Sequence, residues 1–239
     1  MSEDKLKEYL DSSNPLLQKF KDLAPGSFAH CQSVANIVTT ITKNVDLDFP
    51  NELICASQYH DVGKIFNPTY FCENGCESDP HDDIDPHISL QYITRHVSDT
   101  ALILVQNEFP LEVIKIASEH HGSTVVQFFF QKSGTKNKHL YRYKGQPPSS
   151  KESAILMIVD SVDATARSLY DNSKLSTAEQ KVSTIETTIN RLIDDGQLDN
   201  LTIGTLKILK GVLLQELNAI YHTRVDYDEA SKEKQNDED

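Results

Sequence analysis

The strongest constraint on this chain is the spacing of its apolar residues, which recur every three or four positions almost throughout. No alternating run is long enough to suggest a sheet, so the expected fold class is all-α. Val34, Ile37, Val38, Ile41 and Val45 fall at i, i+3, i+4, i+7 and i+11, one face of a helix starting near Ser27. An earlier short helix begins near Pro15 and stops at Pro25-Gly26. Others are expected from Pro50 to His60, from Pro86, and from Pro110 to His121, where Gly122 is placed as a C-terminal cap. Further helices fit 123–132, 151–170, 176–195 and 204–222, with a long loop between the first two. At 239 residues and 38% apolar content the chain is large enough to bury a real core.

Charge and cysteine usage narrow the function classes. The net charge of -13 argues against broad nucleic-acid binding. Acid is concentrated in 73–85 and in 226–239, DYDEASKEKQNDED, which is expected to be a solvated, disordered tail. Residues 131–151 reverse the sign, with six Lys or Arg and no acid. No apolar run approaches a membrane span and the start is charged, so a soluble, cytoplasmic chain is expected. Four cysteines at irregular spacing make no disulfide framework. Cys72 and Cys76 are close enough for a small metal or redox pair, although two unrelated loop thiols is the simpler reading.

Of nine histidines, five fall on helix faces marked as buried: His30, His60, His96, His120 and His121. A single histidine there is usually a hydrogen-bonded core residue, but a core seldom supplies partners for five buried imidazoles. A metal supplies them. Six apolar residues lead up to Asp160, so its carboxylate is expected inside an enclosed helix, ligated or paired with Arg167. In QYHDVGK, His60 offers one neutral nitrogen while the two oxygens of Asp61 can bridge two ions, with Gly63 expected to permit the tight turn.

These residues, in this order, resemble the HD-domain metal-dependent phosphohydrolases. Finer matches in NPLLQKFKDLAPGSFAH, YHDVGKIFNPTYFCEN, DPHDDIDP, EHHGSTVVQFFF, YRYKGQPPSSKESAILMIVDSVDA and DGQLDN resemble the cytosolic domain of the seven-transmembrane-receptor HD proteins, the PgpH type of cyclic-di-AMP phosphodiesterase. The resemblance runs from about Asn14 to Tyr227. It implies a single HD-domain helical bundle over 1–225, with a metal site within 27–165 and C-terminal helices at 176–222. It also implies a dinuclear site: one metal on His30, His60, Asp61 and Asp160, the other on Asp61, His96, His120 and His121. Iron or manganese is the family's usual metal, and the donor set does not exclude zinc, nickel or cobalt. The chain is then either an excised cytosolic part of a membrane protein or a free-standing relative. It departs from the family at Cys31, where serine is expected, and at Lys144 and Gln146, where prolines are expected. The GYP motif of cyclic-di-GMP enzymes is absent after His121.

The activity implied is hydrolysis of cyclic-di-AMP to pApA. Two divalent ions, two aspartates and a bridging hydroxide leave about one positive charge, suited to attack on a phosphodiester. Lys64, three residues past Asp61, is the cation chosen to steady developing charge. Arg142, between Tyr141 and Tyr143, is a candidate for phosphate contact, with Tyr143 stacking on adenine. Alternatives are another nucleotide substrate or a non-catalytic nucleotide-sensing domain.

Overall fold

Pro25 opens the helix that carries the first histidine, two residues before the start expected from the apolar stripe, because proline suits a first turn where no N–H partner is needed. In the computed structural model, which describes residues 3–76 and 78–221, this helix is α3. The described residues contain ten α-helices: α1 Glu3–Leu10, α2 Pro15–Leu23, α3 Pro25–Thr42, α4 Pro50–Tyr59, α5 Pro86–Gln106, α6 Leu111–Ser118, α7 Gln127–Ser133, α8 Lys151–Asp171, α9 Ala178–Asp194 and α10 Ile203–Ile220. No strand is present among them, as the all-α expectation required. The acidic tail and His222 lie outside the described residues.

One hydrophobic cluster joins Phe20, Ile37, Leu53, Leu104, Ile116, Ile155, Ile189 and Leu213, so α2 to α6 and α8 to α10 share a core. At its centre runs α8, where every residue from Glu152 to Asp160 is buried. A helix apolar on all sides must be enclosed by others. Its last buried turns deliver Asp160 and Asp163 into the interior, where both meet His30 of α3.

Three elements differ from expectation. Helix α1 is held from outside its own sequence: Leu6 and Tyr9 are its only buried apolar residues, Tyr9 stacks on Phe109 at 3.8 Å, and the Tyr59 hydroxyl donates to its carbonyl at 2.6 Å. Eight residues with so short a stripe give little periodic signal. The helix expected over 123–132 begins only at Gln127, because the preceding residues pair with the basic segment. Val125 bridges Arg142, the Val126 N–H donates to Tyr141 (2.8 Å) and the Tyr143 N–H to Thr124 (3.0 Å). The helix expected from Pro110 to His121 ends at Ser118, and residues 119–122 form a turn that Gly122 closes at φ 50°.

Gly63 also has a different role from the one expected. Its φ is not positive, and Asp61 at φ -108°, ψ 10° needs no unusual conformation. What the glycine permits is close approach: a Cβ there would lie 2.2 Å from the His96 carbonyl oxygen and 2.5 Å from the Thr100 amide. The Gly63 N–H donates to the Thr100 hydroxyl (2.9 Å), which donates to the His60 carbonyl (3.0 Å), so the HD turn is fastened to α5. Gly63→Ala is expected to cost about 3 kcal/mol, since both obstructing atoms belong to backbone. Urea unfolding measures this; a loss below about 0.5 kcal/mol would mean the contact is slack.

Candidate metal centre

The sequence places His30 and His96 within α3 and α5, His60 at the end of α4, and His120 and His121 just beyond α6, and the fold turns three of these rings inward by a shared local device. The Nδ1 atoms of His60, His96 and His120 each face the carbonyl three residues earlier, Ser57 at 2.9 Å, Ile93 at 2.6 Å and Ala117 at 2.6 Å. A carbonyl only accepts, so each Nδ1 carries the proton and each neutral ring presents its Nε2 lone pair to the interior. His30 is anchored by a side chain instead: its Nδ1 donates to Asp163 Oδ2 at 2.7 Å, and its Nε2 faces Asp160 Oδ1 at 2.9 Å.

These lone pairs converge on two carboxylates. Asp61 Oδ1 lies 3.1 Å from His96 Nε2 and 3.7 Å from His120 Nε2, while its Oδ2 faces His60 Nε2 at 3.8 Å. Asp160 Oδ1 lies 3.6 Å from His60 Nε2, and Oδ2 lies 3.6 Å from His121 Nδ1. The ligand atoms of Asp61, His96, His120 and His121 all fall within 4.8 Å of one another, and so do those of His30, His60 and Asp61. Each group could hold a metal ion. A third such group, His60, His120 and Asp160, overlaps both, so all seven residues expected as ligands are brought together, and the two oxygens of Asp61 face different imidazoles.

The residues fit a cation on internal grounds. His60 Nε2 and Asp61 Oδ1 are buried with no hydrogen-bond partner among the described residues. His96 Nε2 and His120 Nε2 stand 3.3 Å apart, and with both Nδ1 atoms protonated two lone pairs meet unless a proton or a metal lies between them. Burial lowers the pKa of His120 despite Asp61, so the proton is disfavoured on that ring. Burial and the neighbouring His120 hold His121 well below its ordinary value. A divalent ion satisfies lone pairs and carboxylates together.

Protons and an ammonium otherwise offset the carboxylate charge. Burial would lower the His30 pKa, but hydrogen bonds to Asp160 and Asp163 push it up to about 10. His60 is likewise raised against its burial, chiefly by Cys31 and Asp61. Burial would raise Asp61, yet Lys64 and His60 hold it well below the usual carboxylate range. Lys64 Nζ lies 2.8 Å from Asp61 Oδ2 and 2.8 Å from Glu73 Oε1, with its pKa raised by both carboxylates against its burial.

Two residues at the centre were not singled out from the sequence. Asp163 orients His30 and is itself held by Ser33 (2.8 Å) and Arg167 (3.3 Å). It lies three residues after Asp160 on the same buried helix, a spacing that could have flagged it. Arg167 pairs with Asp163 rather than with Asp160, the partner considered from sequence. Glu73 sits within an acidic loop that carries no periodic signal. It is seated on α3 because Gly26 meets its backbone, where a Cβ would lie 1.7 Å from the Glu73 carbonyl, and because the Ser27 hydroxyl donates to its side chain at 2.8 Å. Asp163→Asn should weaken metal binding about 10- to 100-fold, the usual cost of losing an outer partner of a ligating histidine. Metal titration monitored by equilibrium dialysis measures it; unchanged affinity would show that His30 is held without Asp163.

A cleft of about 590 Å³ opens on His30, Asp61, Lys64, His121, Tyr143 and Asp160. Tyr143 lies against His121 at 4.3 Å between ring centres, so it forms a wall next to the centre. Arg142 does not join it. Its guanidinium is held by Asp195 at 2.5 and 2.8 Å and by the Ser123 carbonyl, and it does not line this cleft. Alternation along the paired segment sends neighbouring side chains to opposite faces, so Tyr143 in the cleft puts Arg142 elsewhere. His81 is buried against Tyr70 and Phe129, and His139 is exposed. Cys72 and Cys76 carry free thiols and belong to none of the groups able to hold a metal.

Residues 27–165 match the family described as HD domain. The chain is 35% identical over 240 residues to the cyclic-di-AMP phosphodiesterase PgpH of Listeria monocytogenes serotype 1/2a (strain 10403S), covering 95% of this chain and 32% of that protein. The crystal structure of the L. monocytogenes phosphodiesterase PgpH HD domain matches with TM-score 0.82 and 36% identity, over 88% of this chain and all of that one. The same domain in complex with cyclic-di-AMP matches with TM-score 0.79 and 36% identity, over 89% of this chain and all of that one. The chain thus spans about a third of the length of the curated relatives it matches. No helix among the described residues is long and apolar enough to cross a membrane.

Proposed function

The chain belongs to the HD-domain family, and from that premise we propose that it is a metal-dependent phosphodiesterase hydrolysing cyclic-di-AMP to pApA. The observation that carries this reading is the division of Asp61, with Oδ1 towards His96 and His120 and Oδ2 towards His60. One carboxylate facing two sets of imidazoles could serve as a ligand to each of two cations. His30, His60, Asp61 and Asp160 would hold one, and Asp61, His96, His120 and His121 the other. Imidazole and carboxylate donors without thiolate suit iron or manganese. Such ions supply a nucleophile at neutral pH and polarise the phosphoryl oxygens.

The chain's own residues perform the rest. Lys64 is held by Asp61 and Glu73 at the cleft's edge, where its ammonium stabilises charge developing on phosphate oxygens. Tyr143 offers a ring face beside the centre on which a base can stack. The buried rings of His60 and His120 keep bulk water from the ligands' inner side. The same reading takes 1–225 as one domain and 226–239 as an acidic tail, in a cytosolic setting.

Incubating metal-loaded protein with cyclic-di-AMP and resolving products by anion exchange tests the assignment. Accumulation of pApA at least tenfold faster than cleavage of cyclic-di-GMP is expected. No cleavage by protein of verified metal content, or faster cleavage of another nucleotide, contradicts it.

A further inference from the structure

The cleft continues past the metal centre along α8, and its far part carries arginines with no role in the chemistry above. Arg167 lies seven residues after Asp160, about two turns or ~10.5 Å along the helix. One of its Nη atoms is given to Asp163, and its Nε has no hydrogen-bond partner. Arg191, in the last turn of α9, lines the same cleft and also an adjoining cavity of about 500 Å³. Four arginines lie among the described residues. Arg95 is paired with Asp99, Arg142 with Asp195 and Arg167 with Asp163, while Arg191 has no carboxylate partner among the described residues.

A cyclic dinucleotide carries two phosphodiesters on opposite sides of one ring. With one at the metal centre, the other can lie farther along the cleft, where the chain's net charge of -13 would oppose it without a local cation. Asp171 lies along the same wall, so selectivity there rests on directed guanidinium N–H donors rather than on net charge. We propose that Arg191, with Arg167 of the same cleft, forms a second anion subsite that takes the phosphodiester not being cut. This rests on reading the metal centre as the place where the first phosphate is cut. It also gives the protein a means of preferring ligands with two phosphates over mononucleotides.

The test compares wild type, Arg191→Ala and Arg191→Lys, all metal-loaded, by calorimetric binding of two probes. One is the bisphosphorothioate analogue of cyclic-di-AMP, chosen to resist cleavage; the other is 5′-AMP, with a single phosphate. Arg191 is exposed, so the variants should fold, and matched melting temperatures verify that they do. Arg191→Ala is expected to weaken the analogue about tenfold or more, the scale of a charge-assisted hydrogen bond, and to leave 5′-AMP within twofold. Arg191→Lys should fall between, keeping the charge without the fork. Equal weakening of both probes, or of neither, overturns the subsite. Release of pApA from unmodified cyclic-di-AMP by wild type is followed separately. If none appears the cleavage reading fails, while the Arg191 contrast still decides the subsite.

Discussion

Asp61→Asn is expected to lower the proposed turnover of cyclic-di-AMP by about three orders of magnitude, the scale of losing a principal electrostatic element of an active site. In the proposed assignment every other ligand serves one ion and Asp61 serves both, its oxygens facing the two sets; Asp160 also reaches both sets, with Oδ1 towards His60 and Oδ2 towards His121. An amide in its place keeps one acceptor and replaces the other oxygen with a donor, so one side of the bridge is lost. It also removes the anion that Lys64 approaches at 2.8 Å, leaving that ammonium to Glu73 alone. Metal content should fall from two ions per chain to one or fewer. Elemental analysis and initial rates on the same sample measure both. A variant retaining two ions and activity within tenfold of wild type would show that Asp61 is not the shared ligand.

Stripping the metal should cost about 4 kcal/mol of stability at neutral pH if free metal is held near a thousand times its dissociation constant, and the cost should grow with pH. In the metal-free protein, His30 and His60 are raised above their ordinary value, and Asp61 and Asp160 are held below theirs. For the raised histidine the stabilisation is fully present below 6.5 and is lost as pH rises towards about 10. For the lowered carboxylates it is present above 3.8 and lost as pH falls. The chelated protein therefore weakens between pH 6.5 and 10. Metal binding displaces the same imidazole protons, so its affinity rises over that interval. Melting curves with and without chelator at pH 6 and pH 8.5 should diverge at the higher pH. Curves that coincide, or that converge as pH rises, would contradict proton displacement at these histidines.

The sequence made the proposed ligands legible because each stands on an apolar helical face or at the end of a buried run. Asp160 is the clearest case, closing a stretch of α8 with no solvent side. What escaped depends on tertiary neighbours. Nothing near Arg142 in the chain reveals Asp195, 53 residues away, which claims its guanidinium. Gly63 was expected to serve local backbone freedom, and instead makes room for the His96 carbonyl on another helix. Glu73 lies in irregular chain, where no periodicity reports which face is inward. Helix α1 takes its order from Tyr59 and Phe109, partners distant in sequence. Asp163 was readable in principle, one turn beyond Asp160, and passed over because a carboxylate that holds a ligand looks like any other acid on the helix.

Crystals grown with manganese and measured for anomalous scattering test the shared-carboxylate centre most directly. Two peaks are expected inside the cleft, one at coordinating distance from Asp61, His96, His120 and His121 and the other from Asp61, His30, His60 and Asp160. A single peak, or a pair in which only one ion touches Asp61, would contradict it.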